Sequence, residues 1–385
     1  SRPPICARSW CKMRYDLAIV GAGILGLGHA LAASRRGLKV VVIDRETEAV
    51  GASVRNFGFV TVTGQQQGDC YRRAMRSRDV WEEVAPKAGI PVEHQGLLVV
   101  AQRPEAMDCL EAFARTEMGQ GCHVLTAAQT MAQHGAVLSG KPIQGALWSS
   151  HERRVESRFA IPKLAAWIQS LGVTFLRKTL VKEVQKGRVL TTSGVIEATQ
   201  VVVCPGDDML TLYPEVIARH QITRCRLHMM KVMPAKPIKL PGSIMSDQSL
   251  VRYLGYAELP ESEPIKARLR AEQPRTLAEG IHLIVVQGAD GGLIVGDSHH
   301  YDWSPSPFQR AEVDDLIMEE LHQVLNVPGA QITERWNGTY ASGPETMMRE
   351  TIDDQTRLVI VTSGTGASTS FAIGEETIAE IYGRA

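Results

Sequence analysis

Three glycines carry the first piece of chemistry in this sequence. Gly21, Gly23 and Gly26 stand in "GAGILG" with the spacing G-x-G-x-x-G, and Asp44 follows about 20 residues on. The run "YDLAIV" before them reads as a short buried parallel strand. "ILGLGHALAASRRG" reads as a helix that stops at Gly37, and "LKVVVID" as a second strand. In that frame Gly21 permits a tight turn, Gly23 lets backbone amides approach a pyrophosphate, and Gly26 lets the helix lie close on the strand. Ala22 and Ile24 belong to the same turn. Asp44, followed by Arg45 at the tip of the second strand, is placed to accept hydrogen bonds from an adenosine ribose. A dinucleotide is implied, without a choice between NAD and FAD.

A second group of reactive side chains lies in "GLIVGDSHHY", where Asp297, His299 and His300 tempt a metal reading. Strand geometry sends consecutive side chains to opposite faces, so Asp297 and His299 share one face while Ile294, Ser298 and His300 share the other. No third ligand stands at useful spacing, and a metal is not expected. Candidate cations for an anionic substrate are Arg55, Arg252 and Arg349, because a guanidinium donates two parallel hydrogen bonds to an acid. Each has a plainer alternative: Arg55 as a brace or a cofactor contact, Arg252 and Arg349 as surface charges.

Four patches resemble the D-amino-acid-oxidase-like flavoproteins, which include glycine oxidase and monomeric sarcosine oxidase. Besides the first motif there is "GASVRNFGF", similar to the family segment beneath the flavin ring, which implies cofactor contacts from Ser53, Asn56, Phe57 and Gly58. "LAAWIQSLGVTFLRKTLVKEV" and "VIEATQVVVCPGDDML" resemble the family's helix, its adenine-reading strand near Val181, and a strand ending at Gly206. "RLVIVTSGTGASTSFAIGEETIAEI" resembles its terminal strand, turn and helix, which brings Gly364, Thr365, Gly366, Ala367 and Ser368 to the pyrimidine side of the flavin. The Gly/Ser/Thr turn also stands at a helix N-terminus, suited to the negative charge of a reduced flavin. FAD is the expected cofactor.

The resemblance also exposes departures. Tyr340 in "RWNGTYAS" occupies the place of a carboxylate-binding Arg, and Ser368 that of a carboxylate-binding Lys. Gly338 replaces the Cys that attaches FAD covalently in sarcosine-type relatives, so non-covalent FAD is implied. Ile294 replaces a Lys that promotes reaction with oxygen, and His300, on the same face, becomes the candidate polar group over the flavin, with an inter-strand role as its alternative. "SVRNFGFV", "RVESRFAIPKLAAWI" and "ERWNGTYAS" look most like a bacterial clade linked with phosphonate breakdown. The implied activity is FAD-dependent oxidation of a small anionic amine, such as 2-aminoethylphosphonate or an N-methyl derivative, by hydride transfer to flavin N5. Oxygen or another acceptor would then take the electrons. An amino-acid or sarcosine-type oxidase is the alternative, and a non-catalytic flavoprotein and an NAD-dependent dehydrogenase are the more distant ones.

The elements that must position these groups imply an α/β Rossmann-type FAD-binding domain with a discontinuous, antiparallel-sheet α+β substrate domain. The expected division is 13–80, 150–212 and 336–385 for the first, and 81–149 and 213–335 for the second. Residues 1–12 are expected to be an extension ahead of Met13. With 385 residues the chain can bury two lobes. Lys plus Arg equals Asp plus Glu at 42 each, which gives no net field toward nucleic acid or an anionic membrane. "LAIVGAGILGLGHALAA" is Gly-rich and carries His29, so a Rossmann turn explains it better than a bilayer span. Seven scattered cysteines without a CxxC pair point to a reducing, cytoplasmic setting.

Overall fold

The computed structural model describes residues 13–384; the expected extension 1–12 lies outside them. The first strand, Arg14–Val20, lies between the parallel strands Val40–Ile43 and Gly194–Val203. Thr174–Leu176 extends this parallel layer on one side and Thr356–Ser363 on the other. Leu17, Ile19, Val40 and Val42 face one way and pack with Leu27 and Leu31 of the first helix, Ile24–Ser34, and with Phe371 and Ile378 of the terminal helix, Gly366–Tyr382. Both faces of the layer are covered, which is why its strand Val40–Ile43 is apolar throughout.

The second layer is mostly antiparallel. Thr223–Met233 pairs with Leu293–Gly296 and with the long strand Gln331–Thr351, while His94–Ala101 pairs with Gly145–Arg154. The hairpin expected around "GADG" is present, with Ile284–Gln287 against Leu293–Gly296. Three elements straddle the expected domain limits. Asp69–Lys87 is one helix crossing residue 80, and its Arg73 and Arg76 pair with Glu376 and Glu375 of the terminal helix. Gly145–Arg154 crosses residue 150 and pairs with Phe59–Val60 as well as with the second layer. Gln331–Thr351 pairs with Thr223–Met233 in its first half and with Thr356–Ser363 in its second, so one continuous strand ties the two layers together. Among the described residues no helix is long and apolar enough to cross a membrane.

Candidate active site

A cavity of about 410 Å³ opens where the carboxyl ends of the parallel strands meet the antiparallel layer. One end is lined by Gly23, Ile24, Ser53, Asn56 and Gly206, the middle by Phe57 and residues 364–368, and the far end by Arg252, His282, Asp297, His299 and Tyr301. The first two groups come from the patches on which the family resemblance rests.

The cradle depends on missing side chains. A Cβ on Gly26 would lie 1.9 Å from the Gly21 carbonyl oxygen, and one on Gly21, which has φ +104°, would lie 2.3 Å from the Cys204 oxygen. No L side chain fits either place. Ser53 Oγ accepts the Ile24 N–H at 2.9 Å, which ties the second patch to the start of the first helix. Asn56 Oδ1 accepts the Gly58 N–H at 2.7 Å and the Ser157 hydroxyl at 2.8 Å, fixing the turn beneath Phe57. Both helices that open on the cavity lack acidic residues in their first turns, so their positive ends are not neutralised internally. This suits a pyrophosphate at Gly23 and an electron-rich ring at Gly364–Ser368.

Asp44 accepts the Ala22 N–H at 2.7 Å and the Glu46 N–H at 2.8 Å, which holds the end of the second strand against the turn. Two carboxylate oxygens offer about four acceptor positions, so capacity for a ribose remains. The Thr179 N–H donates to the Asp44 carbonyl, which brings the chain leading into Val181 beside this tip. Gly21, Ala22, Asp44, Arg45, Gly58 and Val181 do not line the cavity itself. Arg45 forms an ion pair with Asp208 at 2.5 Å.

The three candidate arginines separate cleanly. Arg55 lines the cavity, but its Nε donates to the Val50 carbonyl at 2.6 Å and its Nη1 to that of Asn337 at 3.3 Å, which makes it a brace of its own loop. Arg349 does not reach the site, because Glu376 at 3.3 Å and Glu380 at 3.0 Å hold it on the terminal helix. Arg252 lines the far end, donates to the Tyr301 hydroxyl at 2.9 Å, and has no carboxylate at ion-pair distance among the described residues.

His300 is not over the cavity, contrary to the alternation argument. The register runs Met229 opposite Gly296 and Arg226 opposite His300, so the five residues 296–300 stand opposite the four residues 226–229. The extra residue flips the faces. His300 turns away to Glu279 at 2.7 Å, and His299 takes the cavity-facing place. The absence of a third ligand is also corrected. His282 comes from the segment leading into the hairpin, and its ring nitrogen, an Asp297 oxygen and a His299 nitrogen lie within 4.8 Å of one another. The sequence did carry a signal for His282, since counting outward from the "GADG" turn sets it opposite residues 297–298.

Tyr340 does line the cavity. Cys225 sits between Tyr340 and Tyr301 on neighbouring strands, so both rings share its face. The Tyr340 ring lies over Gly364, where a Cβ would come within 3.0 Å of it. Burial pushes its phenol well above the ordinary tyrosine range, so it stays neutral. Ser368, buried, accepts the Thr61 N–H at 3.0 Å and is a floor contact.

Comparison with known proteins agrees with this geometry. The family model described as "DAO: FAD dependent oxidoreductase" matches residues 16–380. The chain is 26% identical over 207 residues to glycine oxidase of Geobacillus kaustophilus, covering 50% of this chain and 55% of that protein. It is 24% identical over 238 residues to the bifunctional protein ThiO/ThiG of a Nostoc species, covering 59% of this chain and 36% of the relative. These matches thus span between about a third and just over half of the relatives' own length. The solved structure of Geobacillus kaustophilus glycine oxidase superposes with a TM-score of 0.77 at 17% identity over 97% of this chain and 95% of its own, which shows the shared fold. With a family match over nearly its whole length and a cavity built for the cofactor, the chain belongs to the DAO family of FAD-dependent oxidoreductases.

Proposed function

We propose that the protein oxidises a small amine that also carries an acidic group, most simply an amino acid or N-alkyl amino acid, at the carbon next to nitrogen. The observation that carries this reading is Arg252, a guanidinium inside the cavity with a tyrosine hydroxyl but, among the described residues, no carboxylate at ion-pair distance. A free planar fork at the end of a cofactor cavity is a ready anchor for a substrate acid. The glycine oxidase relative and an L-amino acid deaminase structure, with a TM-score of 0.71, support the same substrate class. When bound, FAD supplies the two-electron acceptor. The chain's own part is to hold the acid on Arg252, to set the reacting carbon beside the ring under Tyr340, and to exclude water with Phe57, Leu227 and Ile284.

The aminoalkylphosphonate reading is favoured by one feature: both usual carboxylate anchors are missing at Tyr340 and Ser368, and the cation has moved to another element. Gly338 in place of a cysteine supports non-covalent FAD. The five described cysteines are unpaired, which supports a reducing compartment. Whether oxygen or another acceptor reoxidises the flavin is read from the same assay. Purified holoenzyme mixed anaerobically with glycine, sarcosine, L-proline or 2-aminoethylphosphonate should lose its oxidised-flavin absorbance with one of them and regain it in air if oxygen is the acceptor. A flavin that none of these amines bleaches overturns the proposal.

A further inference from the structure

Asp297 and His299 stand at the far end of the cavity, and their hydrogen bonds define what they lack. His299 Nδ1 is 2.8 Å from the Gly280 carbonyl oxygen. A carbonyl only accepts, so Nδ1 carries a proton. The other ring nitrogen, Nε2, stands 3.6 Å from Asp297 Oδ2. Burial drives the imidazole toward its neutral form, down to about 3, so Nε2 offers a lone pair toward a carboxylate. Burial works against ionising Asp297, but His299, His282 and Arg252 outweigh it and hold the carboxyl below its usual range. Asp297 is 5% exposed, and its Oδ1 has only His282 Nε2, 3.1 Å away, beside it among the described residues. Two buried acceptors therefore face each other, an arrangement that a cation or a proton donor would relieve.

His282 completes a set of two histidines and one carboxylate, which by itself suits a divalent metal as well as an ammonium. Arg252 decides between them. A Cβ on Gly280 would lie 2.9 Å from His299 Cβ and 3.3 Å from Arg252 Nη1, so the guanidinium reaches the same turn as His299. A dication there is repelled by the arginine. A zwitterion uses both ends, with its acid on Arg252 and its amine on Asp297 and His299.

We infer that Asp297 and His299 form the amine-binding end of a zwitterion site, with the substrate's ammonium paired to the Asp297 carboxylate and donating a hydrogen bond to His299 Nε2. This rests on the amine-oxidation reading above. The charged and titratable groups facing His299 are Asp297, His282, Arg252 and Tyr301, the last with its ring centroid 6.5 Å away.

The test uses FAD-loaded wild type, Asp297→Asn and His299→Gln, each with full FAD content, and whichever amine of the panel reduces the wild-type flavin. Asp297→Asn should need at least tenfold more amine for half-maximal flavin reduction near neutral pH, and His299→Gln several-fold more. The deficit should shrink toward the amine's own ionisation, about 10, where the ammonium that the pair binds is lost. A readout apart from turnover is the flavin spectral shift on binding the nitrogen-free acid analogue, acetate or ethylphosphonate. Asp297→Asn should bind it within about twofold of wild type, whereas Arg252→Gln should bind it at least tenfold more weakly. Variants with wild-type amine affinity near neutral pH overturn the inference alone. So does one equivalent of divalent metal in the wild type that is lost in Asp297→Asn. A wild-type flavin reduced by no amine overturns both this inference and the reading beneath it.

Discussion

Trp81 Nε1 donates to the carbonyl oxygen of Ala367 at 2.8 Å, and the Trp81 ring meets Phe371 edge-on with centroids 5.0 Å apart. The helix Asp69–Lys87 thus fixes the terminal turn, which is expected to carry the flavin's pyrimidine side. Trp81→Phe keeps most of the apolar contact but removes the side-chain donor from a part-buried helix carbonyl, at a cost of about 1 kcal/mol. Because that carbonyl belongs to the cofactor turn, FAD release should speed up several-fold and thermal unfolding should begin lower. Dilution of holoenzyme followed by flavin fluorescence checks the first effect, and a melt with and without added FAD checks the second.

Gly58 has φ +66°, and a Cβ there would lie 1.7 Å from the Val155 carbonyl oxygen. Gly58→Ala therefore meets both a backbone penalty and a clash with main chain that cannot rotate away, together about 2–4 kcal/mol. The turn that carries Phe57 should shift, and the protein should purify with little FAD. Gly51, whose added Cβ meets nothing within 4 Å, is the control, and Gly51→Ala should keep its FAD. Absorbance ratios of flavin to protein give the answer directly.

These glycines explain why the cofactor half was legible from the chain alone. G-x-G-x-x-G, Gly58 and Gly364 are local solutions to turns and close approaches, so residue type and spacing report them. The substrate half depends on which face a side chain takes, and one extra residue between Gly296 and His300 exchanged His300 for His299. No local pattern announces such a bulge. Likewise nothing near Arg349 in sequence forecasts its capture by Glu376 and Glu380 from another element. Arg252 could be nominated from its type, but its freedom from carboxylates is a property of the assembled cavity.

Glu320 gives a stability prediction away from the site. It is 4% exposed, and burial pushes its carboxyl up to about 7, with Asp247 adding to the rise and Arg103 opposing it. A carboxyl raised in the folded state stabilises the fold while protonated. That contribution is complete below the unfolded value of 4.5 and is lost as pH rises through about 7. The full loss is on the order of 3 kcal/mol. Glu320→Gln keeps an uncharged, hydrogen-bonding side chain beside Gln273, with which Glu320 pairs. The variant should match wild type near pH 5 and melt higher near pH 8. Equal melting temperatures at both pH values would show that Glu320 ionises without penalty.

Arg55 and Arg252 line the same cavity, yet their partners assign them opposite consequences. Arg55 spends Nε and Nη1 on the carbonyls of Val50 and Asn337, and its own carbonyl accepts Trp336 Nε1–H at 3.0 Å. Arg55→Ala should loosen the loop that holds Ser53 and Asn56, so FAD affinity should fall about tenfold while the KM of the residual holoenzyme stays within about twofold. Among the described residues Arg252 holds only a tyrosine hydroxyl. Arg252→Ala should keep its FAD and raise KM at least tenfold, about 1.4 kcal/mol of lost binding or more. Arg252→Lys should recover only part of it, because an ammonium cannot reproduce two parallel hydrogen bonds. Paired measurements of flavin content and steady-state kinetics on the three variants separate the roles, and a shared phenotype for Arg55→Ala and Arg252→Ala would mean that both arginines serve the same ligand.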